Sequence, residues 1–134
     1  MSISSDTDSF KDVLWEGVKQ LTKGQEIYEE TLRILQAKKA EPTPQSKDPS
    51  LQEELTKIHT IYLQWIEASI INTKAQCEIE QELKSLFERD FDPMAFSTSL
   101  TKIQSRLHPL LSHHQKIDAA IKQLEDRISV LIKN

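Results

Sequence analysis

Three long stretches of this chain carry apolar residues at alternating steps of three and four. Such spacing places one apolar stripe along a helix, and a stripe that lasts for several heptads packs against a neighbouring helix over its full length. The 134 residues include only two glycines and many helix-favouring Leu, Lys, Glu and Gln residues. The sequence therefore predicts an all-α fold, an elongated antiparallel three-helix bundle or coiled coil.

The helices are bounded by residues that start or stop a helix. Three prolines between the first two stretches each remove a backbone donor and restrict the preceding residue, so they mark a linker. Ser50 with Glu53 forms a capping box, and Asp92 with Pro93 suits the start of the third helix. The prediction is a single bundle over 9–134 that follows a disordered lead at 1–8, with helix 1 at about 9–39, a linker at 40–50, helix 2 at about 51–89 and helix 3 at about 93–132.

Pro109 falls inside the third stretch. A proline in a helix interior costs about 3 kcal/mol and kinks or breaks the helix. The apolar spacing keeps its phase across Pro109, which favours one kinked helix. A true break there would give four helices instead of three.

The connections between the helices are short, which favours antiparallel neighbours. Reflecting helix 2 onto helix 3 about the Phe91–Asp92 turn sets Leu86 near Phe96. Reflecting helix 1 onto helix 2 about residue 45 sets Leu35 near Leu55. These two reflections predict the registers of the bundle.

A polar layer interrupts the apolar seam of helix 2. Ser69, Asn72 and Gln76 occupy seam positions there, and His114 occupies a seam position of helix 3 opposite Ser69. A polar group on a seam costs stability unless it is hydrogen-bonded, and it can fix register and partner choice. We interpret the four residues as a register-setting layer, in preference to a proton-sensing or catalytic role for His114.

The middle of helix 2 is apolar on nearly every side. Leu63, Ile66 and Ile70 form a second stripe away from the seam. A helix that is apolar almost all round is usually buried on most sides. The stripe indicates either a central position for helix 2 within the bundle or an interface with a partner helix, and both interpretations stay open.

The two glycines lie on one face of helix 1. Gly17 and Gly24 are seven residues apart, and small residues repeated on one face allow the close approach of a helix or a ring. Trp15 lies off the seam and is either a packed ring or an anchor of an interface, since Trp is enriched in binding hot spots. The alternatives are close packing within the bundle and a groove for a partner.

The sequence contains no pattern that indicates catalysis or the binding of a cofactor or metal. No catalytic, phosphate-binding or cofactor motif is present, and the histidines lack the spacing and companions of a metal site. We therefore expect no enzyme, no cofactor and no metal. The net charge of −4 argues against direct nucleic-acid binding, and no apolar run is long enough to span a membrane. A single cysteine, Cys77, suits a reducing compartment, so an intracellular location is expected, either nucleus or cytoplasm.

The function that this pattern favours is helix–helix interaction. We expect a non-enzymatic coiled-coil or helical-bundle subunit, a scaffold within a larger intracellular complex, whose partners are other helical proteins in a hetero-oligomer rather than a homodimer. The alternative is a self-contained adaptor that captures short helical motifs in a groove beside Gly17 and Gly24. Thr43, which precedes Pro44, fits a proline-directed phosphorylation pattern in the predicted linker.

Overall fold

The protein is a bundle of three long helices. The computed structural model describes residues 3–88 and 93–133, which form α1 (Ile3–Ala40), α2 (Pro49–Glu88) and α3 (Pro93–Lys133). These ranges contain helices and no strand, so the predicted all-α three-helix fold is confirmed. A helix of this length extends for about 60 Å, as the sustained apolar spacing requires.

Both α1 and α2 begin earlier than the capping patterns predict. Residues 3–8, predicted as a disordered lead, already belong to α1, because extending an established helix costs far less than nucleating one. At α2 the cap is Asp48 rather than Ser50. The Asp48 Oδ1 atom accepts a hydrogen bond from Ser50 N at 3.0 Å, and Pro49 takes the first helical position. The predicted cap of α3, Asp92, lies outside the described residues.

Pro109 does not end the third helix. α3 runs without a break from Pro93 to Lys133, so the bundle has three helices in the described ranges and the four-helix alternative does not apply. Pro109 and Ser105 are both exposed. The Ser105 carbonyl, which loses its intrahelical donor to the proline ring, therefore lies on the solvent side, where water can replace that donor.

α2 is the central helix of the bundle. α1 and α3 each pack against it in antiparallel orientation. Gly17 lies at Phe87 and Tyr28 at Gln76, so α1 and α2 run in opposite directions. Asn72 contacts Leu110 and Phe87 contacts Phe96, so α2 and α3 do as well. No Cα atom of α1 lies within 8 Å of a Cα atom of α3 in the part of the chain that the structure describes. The outer helices therefore meet only through side chains, such as Lys38 Nζ and Glu125 Oε1 at 3.3 Å.

Most of the buried apolar residues form two clusters at different heights, and Val18, Leu55 and Ile58 are buried outside them. All three helices contribute to the first, which lies towards the 41–48 linker and defines what we call the linker half. Its buried members are Leu35, Tyr62, Ile66, Ile70, Ile117 and Ile121. The second cluster lies towards the α2–α3 connection and defines the turn half. Its buried members are Ile79, Leu86 and Ile103, all from α2 and α3.

The register between α2 and α3 follows the reflection about their turn. The rings of Phe87 and Phe96 lie 5.6 Å apart between centroids, next to the predicted contact of Leu86 with Phe96. The register between α1 and α2 differs from the prediction. Leu35 packs in the cluster that contains Tyr62 and Ile66, rather than opposite Leu55. α1 is therefore displaced towards the carboxyl end of α2.

The linker covers the first turns of α2, which extend beyond the end of α1. The side-chain amide of Gln52 holds two linker residues, since Nε2 donates to Pro44 O at 3.0 Å and Oε1 accepts from Ser46 N at 2.5 Å. Thr43 Oγ1 lies 3.4 Å from Nδ1 of the buried His59. The linker is thus attached to α2 along its length and is not a free loop.

Candidate helix-docking groove

A groove with a volume of about 340 Å³ opens between α1 and α3 near the middle of the bundle. α2 forms its floor, and the two outer helices form its walls. Gly24 contributes no side chain to the α1 wall, which keeps that wall low. The groove is lined by Gly24, Ile27, Tyr28, Thr31, Thr73, Gln76, Glu80, Leu111 and His114.

The floor of the groove carries buried polar groups that lack partners. Thr73 is 1% exposed and Gln76 is 2% exposed. Thr73 Oγ1 and Gln76 Nε2 make no hydrogen bond to any described residue. A buried polar atom without a partner costs about 1–3 kcal/mol. The groove floor therefore has hydrogen-bonding capacity that the chain itself does not use.

Tyr28 connects the α1 wall to this floor. Its Oη atom lies 3.0 Å from Gln76 Oε1 and 3.1 Å from Glu80 Oε1. One hydroxyl proton can be donated to only one of these oxygens at a time. Burial raises the pKa of Glu80, and burial together with the Glu80 charge raises the pKa of Tyr28. Tyr28 therefore stays protonated and remains a hydrogen-bond donor at neutral pH.

The rim of the groove is apolar and exposed. Ile27 of α1 is 66% exposed, and Leu111 of α3 is 44% exposed. These two side chains flank the floor from opposite sides. An exposed apolar rim around buried polar groups is the arrangement that an amphipathic helix can cover, with apolar contacts on both sides of one polar contact.

The predicted polar layer is present but paired differently. Ser69, Asn72 and Gln76 are buried in α2. Asn72 Nδ2 donates to the Leu110 carbonyl of α3 at 3.1 Å. His114 Nε2 lies 3.0 Å from Asp118 Oδ2, one turn along α3. His114 also lines the groove, so it belongs to the groove as well as to the layer.

The stripe of Leu63, Ile66 and Ile70 is part of the core. Ile66 is fully buried and Ile70 is 5% exposed, and Leu63 packs partly buried against the same cluster. Of the two interpretations that the sequence leaves open, the structure favours a central position for α2 and does not support a partner interface at these three residues. Because α2 lies between α1 and α3, its second apolar stripe is covered within the chain itself.

The two glycines of α1 lie in different environments. A Cβ atom at Gly17 would lie 3.4 Å from the Phe87 ring, so Gly17 belongs to the packing of α1 on α2. Gly24 faces the groove, where a Cβ would lie 3.2 Å from Glu80 Oε2. Trp15 is 61% exposed, with Lys19 Nζ 5.9 Å from its ring centroid. Of these residues, only Gly24 lines the groove.

Sequence reasoning missed Thr73 and the role of Tyr28. Thr73 lies one step from the seam residue Asn72, and a three-or-four spacing does not reveal a polar residue beside the seam. The partner of Tyr28 depends on the register of α1, which the sequence predicts incorrectly. The run of polar residues Ser69, Asn72, Thr73 and Gln76 is the signal that marks this floor in the sequence.

Comparison with known proteins assigns no relative. No family model matches the chain, and neither the curated proteins nor the solved structures contain a match. Within 3–88 and 93–133, no helix is both long and apolar enough to cross a membrane. The same ranges hold no group of three His, Cys, Asp or Glu side chains that could bind a metal ion.

Proposed function

We propose that this protein is a non-enzymatic subunit of a larger intracellular assembly, and that it binds an amphipathic helix of a partner protein in the groove between α1 and α3. The observation that carries the proposal is the combination in one groove of exposed Ile27 and Leu111 with buried, unpartnered Thr73 and Gln76. A helix in this position would cover the apolar rim, and it would supply the missing hydrogen bonds once the Thr73 and Gln76 side chains turn towards it.

The occupant is a helix of another protein rather than the same groove of a second copy. A two-fold contact would place one concave surface against the other, with no helix to fill either groove. A partner helix placed between α1 and α3 completes a four-helix arrangement on the framework that α2 already organises. Its groove-facing side needs apolar residues around one uncharged polar residue that can bond with Gln76.

The alternative function is a self-contained adaptor for short helical motifs. The three-helix core of the linker half supports it, because a chain with its own core folds without a partner. An adaptor is monomeric at micromolar concentration and melts cooperatively, whereas an obligate subunit self-associates or melts broadly when expressed alone. Sedimentation and thermal melting of the isolated protein separate the two.

Substitutions at the rim test the groove. The double variant Ile27→Asp with Leu111→Asp introduces charge on both sides, while Ile71→Asp is a matched control at a 60%-exposed isoleucine outside the groove. We expect the tagged wild type and the control to retain, in fixed ratio, a co-purifying helical protein that the double variant loses. The circular dichroism spectra should stay alike. A double variant that retains this protein would contradict the groove as the docking site.

A further inference from the structure

The hydroxyl group of Thr43 connects the linker to α2. Residues 42–46 adopt no regular secondary structure. Thr43 Oγ1 lies 3.4 Å from Nδ1 of His59, whose side chain is almost completely buried. The side-chain amide of Gln52 forms hydrogen bonds with the next part of the linker, at Pro44 O and Ser46 N. Thr43 is half-buried and therefore partly accessible.

Thr43 is also the only Ser or Thr in the chain that precedes a proline. Proline-directed protein kinases act on a hydroxyl residue followed by proline, and they bind it in an extended segment. We propose that Thr43 is a phosphorylation site for a kinase of this class, and that the phosphate releases the linker from α2. This proposal does not depend on the groove between α1 and α3.

The reaction is an ordinary phosphoryl transfer from ATP. The Thr43 Oγ1 atom attacks the γ-phosphorus, and a new oxygen–phosphorus bond forms. The bond from that phosphorus to the β,γ-bridging oxygen breaks, and ADP leaves with the electron pair. The hydroxyl proton passes to the catalytic base of the kinase. The product carries about −1.5 to −2 charge at neutral pH.

The surroundings of Thr43 do not accommodate this charge. A separation of 3.4 Å between Thr43 Oγ1 and His59 Nδ1 leaves no room for a phosphoryl group between them. The adjoining cavity of about 290 Å³ is lined by Glu41 and by Glu125, which is already paired with Lys38, against Lys133 and the buried His59, so it offers a phosphate no excess of positive charge. The phosphate therefore turns to solvent, and the Thr43 contact with His59 is lost.

Release of the linker uncovers an apolar surface. The same cavity is lined by Tyr62, Ile128 and Ile132, which the linker residues Pro42 and Pro44 cover from one side. Phosphorylation at Thr43 thus opens this end of the bundle while the core of the linker half stays in place. The modification is a switch for the accessibility of the surface between α2 and α3.

Mass spectrometry of the intact protein tests the site. The purified chain is incubated with ATP and a purified proline-directed kinase, and we expect the mass of one phosphate per chain. Thr43→Ala and Pro44→Ala should take up none, whereas Thr43→Ser should still be modified. The Pro44→Ala variant keeps the hydroxyl and removes only the motif. No uptake by the wild type, or full uptake by either alanine variant, would overturn the assignment.

Limited proteolysis tests the release. Lys47 lies in the linker, and trypsin should cleave after it about fivefold faster in the phosphorylated protein, as expected for loss of one hydrogen bond. Thr43→Val, which removes the same hydrogen bond without adding charge, is the control and should show no more than this effect. Unchanged or slower cleavage after phosphorylation would mean that His59 and Lys133 retain the phosphate, and the release would be disproved.

Discussion

The linker half and the turn half of the bundle hold α1 in different ways. In the linker half, Leu35 packs among buried side chains of both other helices, and Lys38 of α1 forms an ion pair with Glu125 of α3. In the turn half, the apolar cluster comes from α2 and α3, and no α1 residue with a described side chain belongs to it. There α1 approaches α2 closely at Gly17, beside the Phe87 ring.

This difference shows that α1 shares a three-helix apolar cluster with both other helices in the linker half, whereas Val18, which is equally buried at 7% exposure, lies outside both clusters. Full burial of one aliphatic side chain such as Leu35 contributes about 1.5–3 kcal/mol, whereas a hydrogen bond such as that of Tyr28 contributes about 0.5–1.5 kcal/mol net. The groove lies where the three-helix core of the linker half ends. One wall of the groove is therefore the part of α1 that lies next to the end of the shared three-helix cluster.

The largest effect is expected for a charge in the core of the linker half. Ile70→Asp places a carboxylate at a 5%-exposed position between the helices, and we expect a loss of about 4 kcal/mol or more in the free energy of unfolding. Urea denaturation followed by circular dichroism measures it. Ile71→Asp, at the exposed neighbour, should change stability by less than about 0.5 kcal/mol. Retained stability in Ile70→Asp would return Ile70 to the partner interface.

Truncations of matched isoleucines measure the two halves separately. Ile66→Ala in the linker half and Ile103→Ala in the turn half should each cost about 2–5 kcal/mol, with the larger loss at the fully buried Ile66. Amide hydrogen exchange should accelerate in residues 26–40 of α1 for Ile66→Ala only. Equal acceleration in both variants would show that the two halves form a single cooperative core.

The all-α three-helix fold could be predicted because apolar spacing identifies helices directly. The register of α2 on α3 could also be predicted, since only four residues, 89–92, connect the two helices and so short a connection leaves little freedom. For α1 on α2, Tyr28 contacts Gln76 rather than Tyr62, its partner under reflection about residue 45, which is a shift of two heptads. A heptad repeat presents the same stripe after every seven residues, so the pattern alone does not choose between these registers.

The groove depends on details that the helical pattern does not contain. For Gly24 the sequence leaves close packing and a partner groove open, and in the structure Gly24 lines the groove. The match of Gly24 with Leu111 across the groove requires the shifted register and the separation of α1 from α3. The assignment of Ile66 to core or interface required knowing that α2 is central, which a single amphipathic pattern leaves open.

The glycines give a smaller effect within the attachment of α1. Gly17→Ala should raise stability by about 0.5–1 kcal/mol, because its Cβ makes an ordinary 3.4 Å contact with Phe87 while helix propensity improves. In Gly24→Ala the new Cβ lies only 3.2 Å from Glu80 Oε2. Because the hydrogen bond from Tyr28 helps to fix the Glu80 carboxylate, this close contact offsets the gain in helix propensity. Urea midpoints measure both variants. Equal gains would mean that Glu80 moves freely and that the groove wall is loose.

The smallest expected effect is the pH dependence of stability that arises from the Glu80 carboxyl group. Burial raises the pKa of Glu80, although the Tyr28 hydrogen bond opposes the rise. The folded chain therefore binds this proton more tightly than the unfolded chain, so the stabilisation from the protonated form is lost as pH rises through the folded pKa. Glu80→Gln should be more stable than wild type at about pH 7 and nearly equal at about pH 4. The gain should be below that at Gly17, because Glu80 is half-buried and water screens its charge. Thermal melts at both pH values measure it, and a gain that is largest at low pH would mean that Tyr28, rather than burial, controls the Glu80 carboxyl.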